Sequence, residues 1–389
     1  MKKQITLVVA SFIIVVMGIT MILQVQSNQS SYTADKLANM THDLSNKQSQ
    51  KSITLNAVGD ILIHDRVYRG AKEGQDYDFR PMLSTIKPQL ESADLLFANQ
   101  ETMLAGEEMG LSGYPQFNAP KSVADALSYV STDIVSLANN HTLDYGQEAI
   151  EKTTSLLRDL SIDYIGSYQS ESDQQKPRIL EKNGISVGFT AYTYGTNGIP
   201  RPDDKDYLVQ YIRDGNIKDD INEIEDQADF TVVSLHFGNQ YEPLPTQGQK
   251  ELVRELTEAG ADIILGHHPH VLQPIERVKT ENHQSIVVYS LGNFLSGQRE
   301  LDRRIGGIMQ LQLNKGLINQ TSETSVSNIR FMPTYVEFDD QGDIMRDVEV
   351  VPLIDSSITD VNTNFQEIEN HMKHYSEQIQ VVPHLEQVQ

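Results

Sequence analysis

Polar side chains that could bind metal ions follow several apolar segments of the 389-residue sequence. These groups are Gly59-Asp60, Asn99-Gln100-Glu101, Asn139-Asn140-His141 with Asp144 after it, His236-Phe237-Gly238, and Gly266-His267-His268-Pro269-His270. They combine carboxylates and amides with five of the 11 histidines in the chain. Such a concentration of histidine at the ends of apolar segments indicates a functional site.

Each group alone also has an ordinary structural explanation. Asp60 could cap a turn, Glu101 could be a solvated loop acid, and His236 could be a hydrogen-bonded core histidine. Consecutive amides after a buried strand are unfavourable unless they bind something. Three imidazoles within the four positions 267–270 are a poor choice for packing alone. The joint pattern therefore favours a metal site.

The mixture of ligand types limits the choice of metal ions. Carboxylate and amide oxygens suit Mn²⁺, Fe²⁺ or Mg²⁺, and imidazoles extend the choice to Zn²⁺. Two ions bridged by a carboxylate are a usual arrangement for hydrolysis of phosphate or amide bonds. The residues thus predict a hydrolytic metal centre.

Buried strands alternating with amphipathic helices must position these groups. Strands are predicted at residues 53–58, 95–99, 134–138, 164–165, 187–192, 230–235, 263–265 and 286–289, and helices at 81–91, 122–130, 147–160 and 247–259. This alternation predicts an α/β fold, in which ligands bind at the carboxyl ends of the strands. After residue 306 the pattern changes to strands alone, at residues 307–313, 329–337 and 343–351, which predicts a closing antiparallel section.

Composition excludes several classes of protein. The formal net charge of −23 argues against binding nucleic acid through phosphates. The absence of cysteine excludes disulfides, thiolate metal sites and cysteine nucleophiles.

The first residues carry a membrane signal. Lys2 and Lys3 precede an uncharged apolar run at residues 5–25, long enough to cross a bilayer as a helix. We expect residues 1–26 to be a transmembrane signal anchor that leaves the rest of the chain extracytoplasmic, with a cleaved signal peptide as the alternative. Residues 27–51 are predicted to be a polar linker, residues 52–354 the folded domain, and residues 355–389 a polar, helix-leaning tail.

Several motifs together resemble the CapA/PgsA family of capsule and poly-γ-glutamate synthesis proteins. They are Ala57-Val58-Gly59-Asp60-Ile61, Phe97-Ala98-Asn99-Gln100-Glu101, Phe117-Asn118-Ala119-Pro120, Ser136-Leu137-Ala138-Asn139-Asn140-His141, Asp144-Tyr145-Gly146, His236-Phe237-Gly238, Gly260-Ala261-Asp262, Gly266-His267-His268-Pro269-His270-Val271 and Ser290-Leu291-Gly292-Asn293-Phe294. The family resembles the calcineurin-like metallophosphoesterases. The resemblance implies a four-layer β-sandwich flanked by helices, with two divalent ions, Mn, Fe or Zn.

The resemblance also implies roles for individual residues. It gives the metal ligands as Asp60, Glu101 (in the bridging position), Asn140, His236, His268 and His270, and the catalytic residue as His141. It places a further set against the ligands or the substrate, namely Asn99, Asn139, Asp144, His267 and Asn293. The implied partners are an anionic capsule polymer, membrane subunits of its synthase and, through the anchor, the lipid bilayer.

The sequence departs from the motifs of these families in two places. Leu62 stands where the metallophosphoesterases have a metal-binding histidine, for which His64 is a possible substitute or an ordinary loop residue. Phe237 and Gln240 replace a tryptophan and a glutamate of the capsule family, and Glu242 is out of register with the latter. Three functions therefore stay open: a hydrolase of capsule synthesis, a non-catalytic accessory subunit of a polymer synthase, and a general metallophosphoesterase.

Overall fold

The structure is a computed structural model that describes residues 51–318 and 321–385, together with Thr20 and Gln24. The predicted anchor and linker lie almost entirely outside these residues. Within the described part of the chain, no helix has both the length and the apolar character needed to span a bilayer.

Strands hold more of the described residues than helices do. In chain order they are β1 (Lys51–Leu62), β2 (Lys72–Glu73), β3 (Asp76–Tyr77), β4 (Leu95–Gln100), β5 (Ile134–Ser136), β6 (Asp163–Ile165), β7 (Arg178–Lys182), β8 (Ile185–Thr193), β9 (Phe230–His236), β10 (Ile263–His267), β11 (Leu272–Lys279), β12 (Gln284–Leu291), β13 (Asn293–Ser296), β14 (Ile305–Ile318), β15 (Thr321–Asp340), β16 (Met345–Pro352) and β17 (Gln380–Val381). The helices are α1 (Asp65–Gly70), α2 (Lys87–Leu90), α3 (Ser122–Tyr129), α4 (Gly146–Asp159), α5 (Glu171–Gln174), α6 (Ile217–Glu225), α7 (Gln247–Glu258) and α8 (Val361–Met372).

Two large sheets hold all of these strands except β2 and β3, which pair with each other in a small antiparallel sheet. The first has the order β16-β15-β14-β1-β4-β5-β6, with β13 also paired to β1 and β17 to β15. The second has the order β11-β12-β10-β9-β8-β7. Strands β1, β4, β5 and β6 run parallel, as do β8, β9, β10 and β12. Their carboxyl ends therefore lie along one edge of each sheet, where the candidate ligands were expected.

The sheets pack face to face, with helices on both outer faces. Phe97 of β4 stacks on Phe189 of β8 across the gap, with ring centroids 6.4 Å apart, inside a core built from both sheets. A second core joins the first sheet to α3 and α4, and a third joins the second sheet to α6 and α7. These three cores confirm the predicted α/β sandwich with flanking helices.

The antiparallel closing section is confirmed as well. β14 pairs antiparallel with β1, and β15 pairs antiparallel with β16. Residues 355–385 belong to the same compact unit as the sheets. Met372 of α8 is fully buried in the core between the sheets, and His371 Nε2 donates to the carbonyl of Leu272, 2.9 Å away.

The prediction of one helix over residues 81–91 was wrong. The structure has a 3₁₀ turn at Arg80–Leu83, followed by the short helix α2. Pro88 explains the break, because it has no backbone N–H for a helical hydrogen bond to the preceding turn.

Candidate metal centre

The predicted ligands lie together where strands of the two sheets end. Asp60 is in β1, Glu101 directly follows β4, and His236 is the last residue of β9. Asn140 lies in the turn after β5, and two histidines follow β10. Each of the six is buried, with at most 5% of its surface exposed: Asp60, Glu101, Asn140, His236, His268 and His270.

Close backbone approaches position Asp60. The pairing of β1 with β4 shifts register between Val58 and Asp60, which is a bulge at Gly59. The Asp60 backbone N–H donates to the carbonyl of Gly292, 2.9 Å away. A Cβ atom on Gly59 would lie 1.9 Å from that same oxygen, so only glycine fits there.

We predict that Gly59→Ala destabilises the fold by about 3 kcal/mol and displaces Asp60, because β1 must move away from the Gly292 carbonyl. Chemical denaturation of the purified chain measures the change. Gly248→Ala is the matched control, because Gly248 is exposed near the start of α7, where alanine is expected to stabilise by up to about 1 kcal/mol. Equal stability of the Gly59→Ala variant and the wild type would contradict this account of the bulge.

One half of the cluster centres on Asp60 and His270. His270 Nδ1 lies 3.0 Å from Asp60 Oδ2, and its Nε2 lies 3.8 Å from Glu101 Oε1. The Asp60 Oδ1 atom accepts a hydrogen bond of 2.8 Å from Asn99 Nδ2. This half therefore offers a carboxylate and an imidazole that both face Glu101.

The other half centres on His236. Its Nε2 donates to Asn140 Oδ1 at 2.7 Å and lies 3.7 Å from Glu101 Oε1. The His268 ring lies 4.8 Å from the His236 ring, between centroids. His268 and His270 have positive φ angles of 97° and 59°, a strained backbone that turns both rings toward the cluster.

Glu101 lies between the two halves, as a bridging ligand must. Both of its carboxylate oxygens are buried without a hydrogen-bond partner among the described residues, as are Nδ1 of His236 and Nδ1 of His268. Ligand atoms of Asp60, Glu101 and His236 all lie within 4.8 Å of one another. Unpartnered buried polar atoms are unfavourable, and a divalent cation would satisfy them. The residues present therefore fit a metal ion.

The protonation of His236 and His268 suits metal binding. Burial would lower the pKa of His270, but the charge of Glu101 and the hydrogen bond to Asp60 outweigh it and raise that pKa to about 9, so His270 and Glu101 must each lose a proton when a metal binds. Burial raises the pKa of Glu101 to about 8. Burial lowers the pKa of His268 to about 3, aided by the charge of His270, and lowers the pKa of His236 well below its usual value. For Asp60, burial would raise the pKa, but hydrogen bonds from His267 and His270 hold it well below the ordinary value. Neutral imidazoles with free lone pairs are the form that binds metals.

His141 is held beside this cluster by a carboxylate. Its Nδ1 lies 2.7 Å from Asp144 Oδ2, which also accepts the backbone N–H of Phe117. Its own backbone N–H donates to Asn139 Oδ1 at 2.8 Å. Since Nδ1 donates to Asp144, Nε2 is left to act on a bound molecule.

The remaining predicted residues support the ligands. His267 Nδ1 lies 3.4 Å from Asp60 Oδ1. Asn293 Oδ1 lies 3.1 Å from His270 Nδ1, and its amide Nδ2 donates to the carbonyl of Arg303. Asn139 mainly stabilises its own turn, because its Nδ2 donates to the backbone carbonyls of Gln100 and Leu137.

The two departures from the family motifs have distinct surroundings. Leu62 is buried, and Phe237 packs into the core between the second sheet and its helices. The backbone N–H of Gly297 donates to His64 Nδ1, and the His64 ring packs against Phe117. These contacts give His64 an ordinary structural role. Gln240 and Glu242 are both exposed.

The segment after β8 contributes residues that the sequence reasoning missed. The Tyr194 ring packs against His268, with centroids 4.7 Å apart, and is 42% exposed. Asn197 Oδ1 accepts a hydrogen bond of 3.2 Å from Asn140 Nδ2. Tyr241, in the segment after β9, has its ring 6.1 Å from that of His270. The position of Tyr194 and Asn197 after a buried parallel strand was the available signal.

Comparisons with known proteins show which proteins this chain is similar to. The family model described as "Bacterial capsule synthesis protein PGA_cap" matches residues 54–298. The "Capsule biosynthesis protein CapA" of Bacillus anthracis is 29% identical over 282 residues, covering 68% of this chain and 65% of that protein. The "PGA biosynthesis protein CapA" of Bacillus subtilis is 27% identical over 305 residues, covering 75% of this chain and 76% of that protein. The chain thus spans just under two thirds of the B. anthracis relative.

Among solved structures, the calcineurin-like phosphoesterase YfkN from Bacillus subtilis aligns with 84% of this chain and 99% of that chain, at 15% identity and a TM-score of 0.43. The family model covers more than half of the chain, from β1 to the loop after β13, and so includes every candidate ligand. The chain therefore belongs to the family of bacterial capsule synthesis proteins.

Proposed function

We propose that this chain is a metal-dependent hydrolase that acts in the synthesis or export of an anionic capsule polymer, poly-γ-glutamate. The observation that carries the proposal is Glu101, a fully buried carboxylate with two unpartnered oxygens between two groups of potential ligands. A carboxylate in this position suits two divalent ions, Mn²⁺, Fe²⁺ or Zn²⁺.

The ligand sets follow from the contacts. Asp60, Glu101 and His270 would hold one ion, and Glu101 with Asn140, His236 and His268 would hold the other. When bound, such ions supply Lewis acidity that activates water and stabilises a negatively charged transition state. The chain itself supplies His141, whose Nε2 donates a proton to the leaving group of an amide or phosphoester. Asp144 accepts a hydrogen bond from Nδ1 and so keeps the His141 ring in the required orientation. The ring that donates carries a proton on both nitrogens, and it is left with the Nδ1 proton alone after the Nε2 proton has moved to the leaving group.

The proposed location is the outer face of the cell membrane. It rests on the apolar run at residues 5–25 after Lys2 and Lys3, and on the capsule proteins to which the chain is similar. Synthase subunits in the membrane are the proposed partners. The net charge of −23 opposes direct contact with a polyanion, whereas divalent ions at the site would attract its carboxylates.

A second candidate is a non-catalytic accessory role in the same polymer's synthesis. The observation that favours it is Leu62, an apolar side chain on β1 where a metal-binding histidine is expected by resemblance. With one imidazole fewer, ions could hold the loops and the polymer without efficient turnover.

The proposal is tested by complementation of a strain that lacks the gene. We expect a His268→Ala/His270→Ala variant, present at the wild-type level, to restore less than about a tenth of the capsule polymer, since both ions lose an imidazole. His374→Ala/His384→Ala is the matched control, because both residues lie outside the cluster, after α8. Full restoration by the His268→Ala/His270→Ala variant would contradict a metal-dependent function.

A further inference from the structure

We infer that Asn197 is a positioning residue that fixes the orientation of the Asn140 side-chain amide, so that its oxygen faces the metal centre. This inference rests on the metal binding in the proposed function. An asparagine amide can bind a metal ion through its oxygen only, yet the amide can turn over and present its NH₂ group instead. A metal-binding asparagine therefore needs a second contact that selects one orientation.

The contacts of Asn140 provide that selection. Its Oδ1 faces His236 Nε2 at 2.7 Å, on the side of the ligand cluster. Its Nδ2 donates to Asn197 Oδ1 at 3.2 Å, on the other side. If the Asn140 amide turned over, its NH₂ group would face the N–H of His236 and the ion. The acceptor at Asn197 thus stabilises the orientation that binds metal.

Asn197 is itself held in a defined turn. The backbone N–H of Ile199 donates to the carbonyl of Thr196 at 2.8 Å, and both Asn197 and Gly198 have positive φ angles, 50° and 81°. This is a type I′ turn, for which Asn-Gly is a preferred pair. The buried Thr196 hydroxyl lies 2.6 Å from both the Ile199 carbonyl and the Tyr211 hydroxyl, which anchors the turn.

Turn formation alone would explain an asparagine here, and the two roles can be separated. Asn197→Gly keeps a residue that adopts positive φ, so the turn persists while the acceptor is lost. The Asn197 amide also approaches His141 Nδ1 to 3.4 Å. Because His141 Nδ1 donates to Asp144, that approach is a packing contact, and the effect on metal binding is expected to pass through Asn140.

The test is a double-mutant cycle read by metal binding. The metal-free 389-residue chain is titrated with Mn²⁺ and with Zn²⁺ by calorimetry, without any substrate. We expect Asn197→Gly to weaken the binding of one of the two ions about tenfold and to leave the affinity for the other unchanged. In the Asn140→Asp background the side chain at position 140 ends in two oxygens, so either orientation presents an oxygen to the ion. Asn197→Gly is then expected to change the metal affinity less than about twofold. Asn197→Asp, which keeps an acceptor and tolerates the turn, is expected to restore binding.

Asn183→Gly is the matched control, since Asn183-Gly184 forms the corresponding positive-φ turn between β7 and β8. It should match Asn197→Gly in thermal stability without affecting metal affinity. The role of Asn197 would be overturned if Asn197→Gly bound two ions with unchanged affinity. It would also be overturned if Asn197→Gly lost as much metal affinity in the Asn140→Asp background as in the wild type. Neither result would bear on the proposed metal centre itself. A wild-type chain that binds neither metal would overturn the proposed metal centre, and this inference with it.

Discussion

Glu101→Gln is expected to reduce the bound metal from two ions to one or none, while the metal-free variant folds at least as stably as the wild type. Bound metal is lost because glutamine offers one oxygen and no charge at the position shared by both groups of ligands. The stability of the metal-free variant is expected to hold or increase because burial raises the pKa of Glu101 from its ordinary value of 4.5 to about 8, which makes an ionised carboxylate unfavourable there. Near neutral pH the unfolded chain holds this carboxylate ionised and the folded metal-free chain does not. The contribution of Glu101 to the stability of the metal-free wild type therefore falls as the pH rises from about 4.5 to about 8.

Elemental analysis and thermal unfolding at several metal concentrations measure both effects. Metal at one hundred times its dissociation constant should stabilise the wild type by about 2.7 kcal/mol for each bound ion, and the Glu101→Gln variant by much less in total. Glu108→Gln is the control, because Glu108 lies on the surface in an ion pair with Lys121. A Glu101→Gln variant that still binds two ions with wild-type affinity would show that Glu101 is not a shared ligand.

His141→Ala is expected to lower the rate of hydrolysis by a factor of about 10² to 10⁴ without changing metal content. His141 is held by Asp144 and by the Asn139 side chain, and none of its hydrogen bonds joins it to Asp60 or Glu101 in the described structure. Its removal therefore deletes a proton donor and leaves the predicted ligands in place. Rates are measured with an aryl phosphate and with poly-γ-glutamate, alongside metal analysis of the same preparations.

Asp144→Asn gives the graded comparison for His141. It keeps a side chain of the same shape but removes the charge that orients the imidazole, so we expect a smaller loss of rate than in His141→Ala. His374→Ala serves as the control for histidine removal in general. A wild type that hydrolyses neither substrate but binds metal would favour the accessory role, and an active His141→Ala variant would exclude His141 as the proton donor.

The sequence predicted most of the central fold because its parallel strands are short, continuous apolar segments. β11 was missed because it is an edge strand whose sequence includes Gln273, Pro274, Glu276 and Arg277, so it lacks that pattern. Proline is tolerated at such an edge, where no neighbouring strand needs its N–H. The predicted helix over residues 81–91 is interrupted in the structure, because Pro88 cannot donate the backbone hydrogen bond that a continuous helix requires.

The candidate ligands were predictable for a related reason. Each follows a recognisable apolar strand, and parallel strands bring their carboxyl ends to one edge. The division of the ligands around Glu101 was not derivable from strand ends, because it depends on how two separate sheets face each other. The contact between Asn140 and Asn197 crosses from the turn after β5 to the turn after β8, in different sheets. An Asn-Gly pair in a sequence indicates only a turn.

The most direct test of the metal centre is a crystal structure of the chain loaded with Mn²⁺, with anomalous diffraction used to locate the ions. We predict two anomalous peaks on either side of the Glu101 carboxylate, one beside Asp60 and His270 and the other beside Asn140, His236 and His268. A fully loaded crystal with no peak between these side chains, or with manganese bound elsewhere on the chain, would contradict the account.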